Sequence, residues 1–102
     1  MPAEPVDLGQ LDQQTGGDNA LAREVLKLFV LHAPADLTQL SAVSGYERRV
    51  LAHRLAGSAR GVGASEVARL AASVEAGADG DVAALEAAVN EAVAFIEVHL
   101  AS

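Results

Sequence analysis

Leu51-Ala52-His53-Arg54-Leu55-Ala56-Gly57-Ser58-Ala59-Arg60-Gly61-Val62-Gly63-Ala64-Ser65-Glu66 places one histidine on a helical pattern of small residues and arginines. Leu51, Leu55, Ser58 or Ala59, and Val62 follow the spacing of a single buried helix face. His53 lies about 160 to 200° around the helix from Leu51 and Leu55, so its imidazole is expected to face water. Arg49 precedes it by one turn on the same ridge, Ala56 and Gly57 follow by one turn, and Arg60 by two. A glycine inside a helix costs roughly 1 kcal/mol against alanine. Gly57, Gly61 and Gly63 together therefore predict that a neighbouring helix or an incoming partner needs the room.

Helical patterns continue on both sides of this stretch. Val6, Leu8 and Leu11 suit a short helix or turn that Gly16-Gly17 stops. Asp18 is placed to cap the next helix, whose expected buried stripe is Leu21, Val25, Leu28 and His32, widened by Leu26, Phe29 and Leu31. Pro34 removes a backbone donor and predicts a kink or restart, with Leu37, Leu40 and Val43 continuing one long unit over 19–43. Ser44 and Glu47 have capping-box spacing and mark the start of the histidine helix, which is expected to end near Gly61 to Gly63. Val67, Leu70 and Val74 point inward from the following helix, which ends around Gly77. Asp79-Gly80-Asp81 caps the last helix, with Val82, Leu85, Val89, Ala92 or Val93, Ile96 and Leu100 as its stripe. The short loops favour antiparallel neighbours. The expected fold is all-α, an antiparallel four-helix bundle with a short extra N-terminal helix, formed by residues 1–102 as a single domain.

Hydrophobic residues make up 51% of the 102 and aromatics only 3%, so the core must be built from Leu, Val and Ala, which suits closely packed helices. With no cysteine there is no disulfide framework or thiolate nucleophile, a composition that fits the cytoplasm. The apolar runs fall well short of the roughly 20 residues that cross a bilayer, and Met1 to Glu4 lacks the basic start of a signal peptide. A formal net charge of −7 argues against a nucleic-acid partner. The cations are nevertheless local. Arg48, Arg49, Arg54 and Arg60 surround His53, and no lysine or arginine follows Arg69, while Glu75, Asp79, Asp81, Glu86, Glu91 and Glu97 fill the last third. Such an island suits an anionic ligand or an acidic partner, or else pairs with acids of neighbouring helices.

Ala52-His53-x-Leu55-x-Gly57-Ser58-Ala59-x-x-Val62-Gly63-Ala64 resembles the core motif of the histidine-containing phosphotransfer (HPt) domains of phosphorelays. The resemblance extends over most of the chain, through the segment Leu8 to Asp18, the helix from Ala20 to His32, and an acidic residue in the helix after the motif. It implies a phosphorelay intermediate that accepts a phosphoryl group on His53 from a receiver aspartate and passes it to another receiver, with no kinase activity of its own. The partners implied are receiver domains of response regulators or hybrid histidine kinases, met by a monomer. No cofactor belongs to this chain, and the Mg2+ is expected on the receiver. Glu75, 22 residues after His53, matches the family position that orients the imidazole, against the alternative of an ordinary exposed glutamate. The family usually has lysine where this chain has Ala56. Arg60, then Arg49 and Arg54, are the candidate substitutes toward phosphate, and Gly57 would admit the partner backbone.

Two other classes compete. A helical-bundle adaptor that binds a receiver or histidine kinase without being phosphorylated draws support from the missing lysine. The dimeric histidine bundle of sensor kinases is disfavoured, because Arg54 replaces the usual acid after the histidine and no proline follows Pro34. Gly57 to Gly63 is no Walker loop, lacking the closing Gly-Lys-Ser/Thr. His32 and His99 form no i, i+4 pair, and a metal site built from the three histidines is not expected.

Overall fold

Asp7 and Asp18 each turn a carboxylate onto the first backbone N–H groups of a helix, accepting from Gln10 and Leu21 at 3.0 Å. The computed structural model describes residues 4–102, and among these all regular structure is helical. Helix α1 spans Leu8–Gln14, α2 Asn19–Ala42, α3 Gly45–Val62, α4 Ser65–Glu75 and α5 Val82–Leu100, with a 3-10 turn over Asp79–Asp81. The radius of gyration is 13.2 Å, close to the ~13 Å of a compact domain of this length. None of the described helices is long and apolar enough to cross a membrane.

Helix α3 is the hub. It packs against α4 most extensively, then against α2 and α1, while α5 packs on α2 and α4, so that α2, α3, α4 and α5 form a closed ring of neighbours. Ala52, Ala56 and Ala59 on α3 and Ala68 and Ala71 on α4 are all buried, and small side chains let two helix backbones approach closely. Leu26, Leu40, Leu55, Leu85 and Ile96 supply the bulk at the centre.

The inward face of α2 differs from the expected one. Leu26, Phe29, Ala33, Leu37 and Leu40 are buried, whereas Leu21, Leu28 and Leu31 are half exposed or more and His32 is exposed. The helix is apolar around most of its girth before Pro34, so periodicity supports two stripes, and the neighbours α3 and α5 select one. Pro34 lies inside a single assigned helix and does not divide it. On α3, Ala52, Leu55, Ala56, Ala59 and Val62 form the buried face, Leu51 is only partly covered and Ser58 is exposed. Helix α4 buries Val67, Leu70 and Val74, and α5 buries Leu85, Val89, Ala92 and Ile96, as their spacing predicts.

Two expected caps are not made. Ser44 precedes α3 without a side-chain bond to the helix, and Asp81 precedes α5 in the same way. Gly63 does take the left-handed cap, at φ 80°. Its carbonyl accepts from the Asp7 N–H at 2.9 Å, and a Cβ there would lie 2.8 Å from the Asp7 carbonyl oxygen. The segment before α1 is thus clasped onto the α3/α4 corner at a position only glycine fits. Arg23 ties α2 to the other end of α5 by donating to the Leu100 carbonyl at 2.7 Å.

Candidate functional site

The flank of α3 that faces α4 carries His53, whose side chain is 72% exposed, and the last residue of α4 is Glu75, 38% exposed. Nδ1 of His53 and Oε2 of Glu75 are 2.7 Å apart. An ionised carboxylate only accepts hydrogen bonds, so the proton of this contact belongs to Nδ1. When the ring is neutral, Nε2 then carries the lone pair, on a side chain that is 72% exposed. The arrangement is that of an oriented imidazole nucleophile, with its tautomer set by a carboxylate on the next helix.

The four arginines of the island separate. Arg49 lines the same shallow depression as Tyr46, Val50, His53 and Glu75. Arg60 lies farther along the α3/α4 groove in a depression with Gln10, Ser65 and Arg69. Arg54 crosses to the opposite flank and donates to Asp36 of α2 at 2.9 Å, beside His32 and Ser58. Arg48 is largely covered, donating to the Leu40 carbonyl at 3.2 Å and pairing with Asp79 at 3.2 Å. Among the described residues Arg49 and Arg60 form no salt bridge, so they are the uncommitted cations on the histidine's side of α3. Arg69 is engaged by Glu66: its hydrogen bond and charge hold that exposed carboxyl below the usual carboxylate range, and the guanidinium is pushed up in turn.

Gly57 and Gly61 have open space where a Cβ would stand. No neighbouring helix needs the room they leave, so of the two explanations for these glycines the packing one fails here. Ala56, by contrast, is wholly buried. A longer side chain at that position would have to displace its packed neighbours or thread its stem past them to bring a charge to the surface. His32 lines a notch with Asp36, Arg54 and Ser58, and no three His, Cys, Asp or Glu side chains of the described residues converge as a metal site requires.

Sequence reading passed over Asp36, the one charged residue counted as buried among those described. An aspartate between Ala33 and Leu37 on an apolar stripe was its available signal. No profile of a known protein family, no curated protein and no solved structure matches this chain.

Proposed function

We propose that this chain is a histidine phosphotransfer domain, a phosphocarrier of a phosphorelay, whose helices α2 to α5 make an antiparallel four-helix bundle with α1 across one end. The observation that carries the reading is the 2.7 Å contact of His53 Nδ1 with Glu75 on a side chain 72% exposed, which leaves Nε2 as the nitrogen without a partner among the described residues. Nε2 attacks the phosphorus of a receiver's aspartyl phosphate, forming the N–P bond as the P–O bond to the aspartate breaks. The freed carboxylate stays on the receiver, whose magnesium ion offsets its charge. The ring becomes a phosphorylated imidazolium that keeps its Nδ1 proton, and the Glu75 carboxylate stabilises that positive charge. Transfer to a second receiver reverses these bond changes and returns neutral imidazole.

Arg49 is the best placed of the candidate cations to meet the phosphoryl group, since it shares the His53 depression. Arg60 is the next along the same groove, and Gly57 leaves the crest beside the histidine open to a partner backbone. The chain supplies nucleophile, orienting acid and cation, while nucleotide and kinase chemistry lie with other proteins. It works as a monomer in the cytoplasm.

Incubation with phosphoramidate, and separately with a phosphorylated receiver, tests the reading. Acid-labile, base-stable label on wild type that is absent from His53→Gln is the expected result. Receiver binding without any label on His53 would select the adaptor reading, which the buried Ala56 in place of lysine favours.

A further inference from the structure

His53 and Arg54 are consecutive on α3, yet each is tied to a different neighbouring helix. Glu75 holds the imidazole toward α4, and Asp36 holds the guanidinium toward α2. The two pairs also differ in burial. The Asp36 side chain is 13% exposed, whereas Arg54 is 58% exposed. Among the described residues Arg54 donates to Asp36 alone, so most of its five N–H donors are turned to solvent.

Burying a carboxylate is costly, and a well-packed apolar side chain in its place is often neutral or stabilising. Stability of the α2/α3 contact therefore gives little reason for an aspartate here. What Asp36 does supply is direction: an arginine on an exposed helix face is long and mobile, and a partly buried acceptor fixes where its planar fork lies. A guanidinium can hold one carboxylate on each edge, and Arg54, 58% exposed, gives one donor to Asp36 and keeps others free. The protein carries a formal charge of −7, so an acidic partner is repelled at long range and needs a fixed cation at close range.

Resting on the phosphocarrier reading, we propose that Asp36 is a positioning residue that fixes Arg54 on the α2 side of His53, where its free donors receive a carboxylate of the docking receiver. Arg54 thus serves docking, and the phosphoryl group is left to the cation on the Glu75 side. His32 and Ser58 form the remaining walls of this polar notch.

The test measures transfer to His53 from whichever phosphorylated receiver is fastest with wild type, as KM and kcat separately, together with melting temperature. Asp36→Leu keeps the branched shape, with two methyl groups in place of the carboxylate oxygens, and removes the acceptor. It should melt no lower than wild type and raise KM roughly tenfold with kcat unchanged, the scale of one charge-assisted hydrogen bond. Asp36→Asn keeps an acceptor oxygen and should stay within about threefold of wild-type KM. Arg54→Leu leaves a buried carboxylate unpaired and is vulnerable to misfolding, so the Asp36→Leu/Arg54→Leu double variant carries the comparison and should show a KM at least as high as that of Asp36→Leu alone. An unchanged KM in Asp36→Leu, a loss in kcat instead, or a double variant with a lower KM than Asp36→Leu would overturn the proposal while leaving the phosphocarrier reading standing. Failure of wild type to take label from phosphoramidate or from any receiver would overturn both.

Discussion

Glu75 Oε2 lies 2.7 Å from His53 Nδ1, across the α3/α4 interface and 22 residues along the chain. Neither residue is buried, so the contact holds its geometry through the helices beneath it. Ala52, Ala56, Val67, Ala71 and Val74 are all buried under this pair of helices. The imidazole therefore inherits its orientation from an alanine-rich packing surface.

Loss of that acceptor should show in both ring and rate. Glu75→Ala frees the tautomer, and 15N spectra of His53 should move from Nδ1–H toward a mixture of both forms. If the chain is the proposed phosphocarrier, its phosphorylation by phosphoramidate should slow by about tenfold, or roughly 1.4 kcal/mol of barrier. An unchanged tautomer and rate would remove Glu75 from the site.

Arg49 and Arg60 are separable by position. On the phosphocarrier reading, Arg49→Ala should reduce receiver-to-His53 transfer by about tenfold, and Arg60→Ala by about threefold, since only Arg49 shares the histidine's depression. Arg69→Ala, whose guanidinium is already taken by Glu66, should have less effect than either. Single-turnover transfer rates of the three variants decide the order.

The glycines divide into two kinds. Gly57→Ala and Gly61→Ala meet open space and should raise stability by about 0.5–1 kcal/mol each in urea denaturation. Gly57→Ala should at the same time weaken receiver docking, because the added methyl stands on the open crest beside His53. Gly63→Ala should instead destabilise by about 1–3 kcal/mol, since it strains the left-handed cap and crowds the Asp7 carbonyl.

On the phosphocarrier reading, a lysine at position 56, where HPt domains carry one, should not add a phosphate cation. Ala56→Lys places a long charged side chain into the packed α3 interface and should cost about 2–4 kcal/mol in denaturant melts, with no faster transfer. A stable variant with faster transfer would show that the packing around Ala56 yields.

Acid should release the Glu66–Arg69 pair. The folded-state pKa of Glu66 is lowered, chiefly by its hydrogen bond from Arg69, so its stabilising contribution is complete above the usual glutamate range and disappears as pH falls through the lowered value. Melting temperatures of wild type and Glu66→Gln should accordingly converge below about pH 4. The difference at neutral pH should be small, because the pair is exposed.

Much of the helical layout was legible from punctuation. Asp18, Gly63 and Gly77 mark boundaries because each has a local task, a cap or a left-handed turn, that its own neighbours define. The face of α2 was not legible in this way: with Leu21, Val25, Leu26, Leu28, Phe29 and Leu31 all apolar, the choice belongs to the helices that arrive against it. Ser44 shows the same limit at smaller scale, since capping-box spacing does not oblige the side chain to turn inward. At the site, the pairing of His53 with Glu75 came from the resemblance, through the spacing of 22 residues, and the structure brings the two side chains to 2.7 Å. The partners of Arg48 and Arg54 are Asp79 and Asp36, and only tertiary packing brings those acids near.

The exposure of His53 bears on time as well as on access. Its side chain is 72% exposed, and the glycines beside it put no roof over the ring. On the phosphocarrier reading, a phosphoryl group on Nε2 stands in water, and its persistence is set by the intrinsic hydrolysis of an N–P bond. Such a carrier keeps no clock of its own: how long a signal is remembered depends on how soon the next receiver arrives.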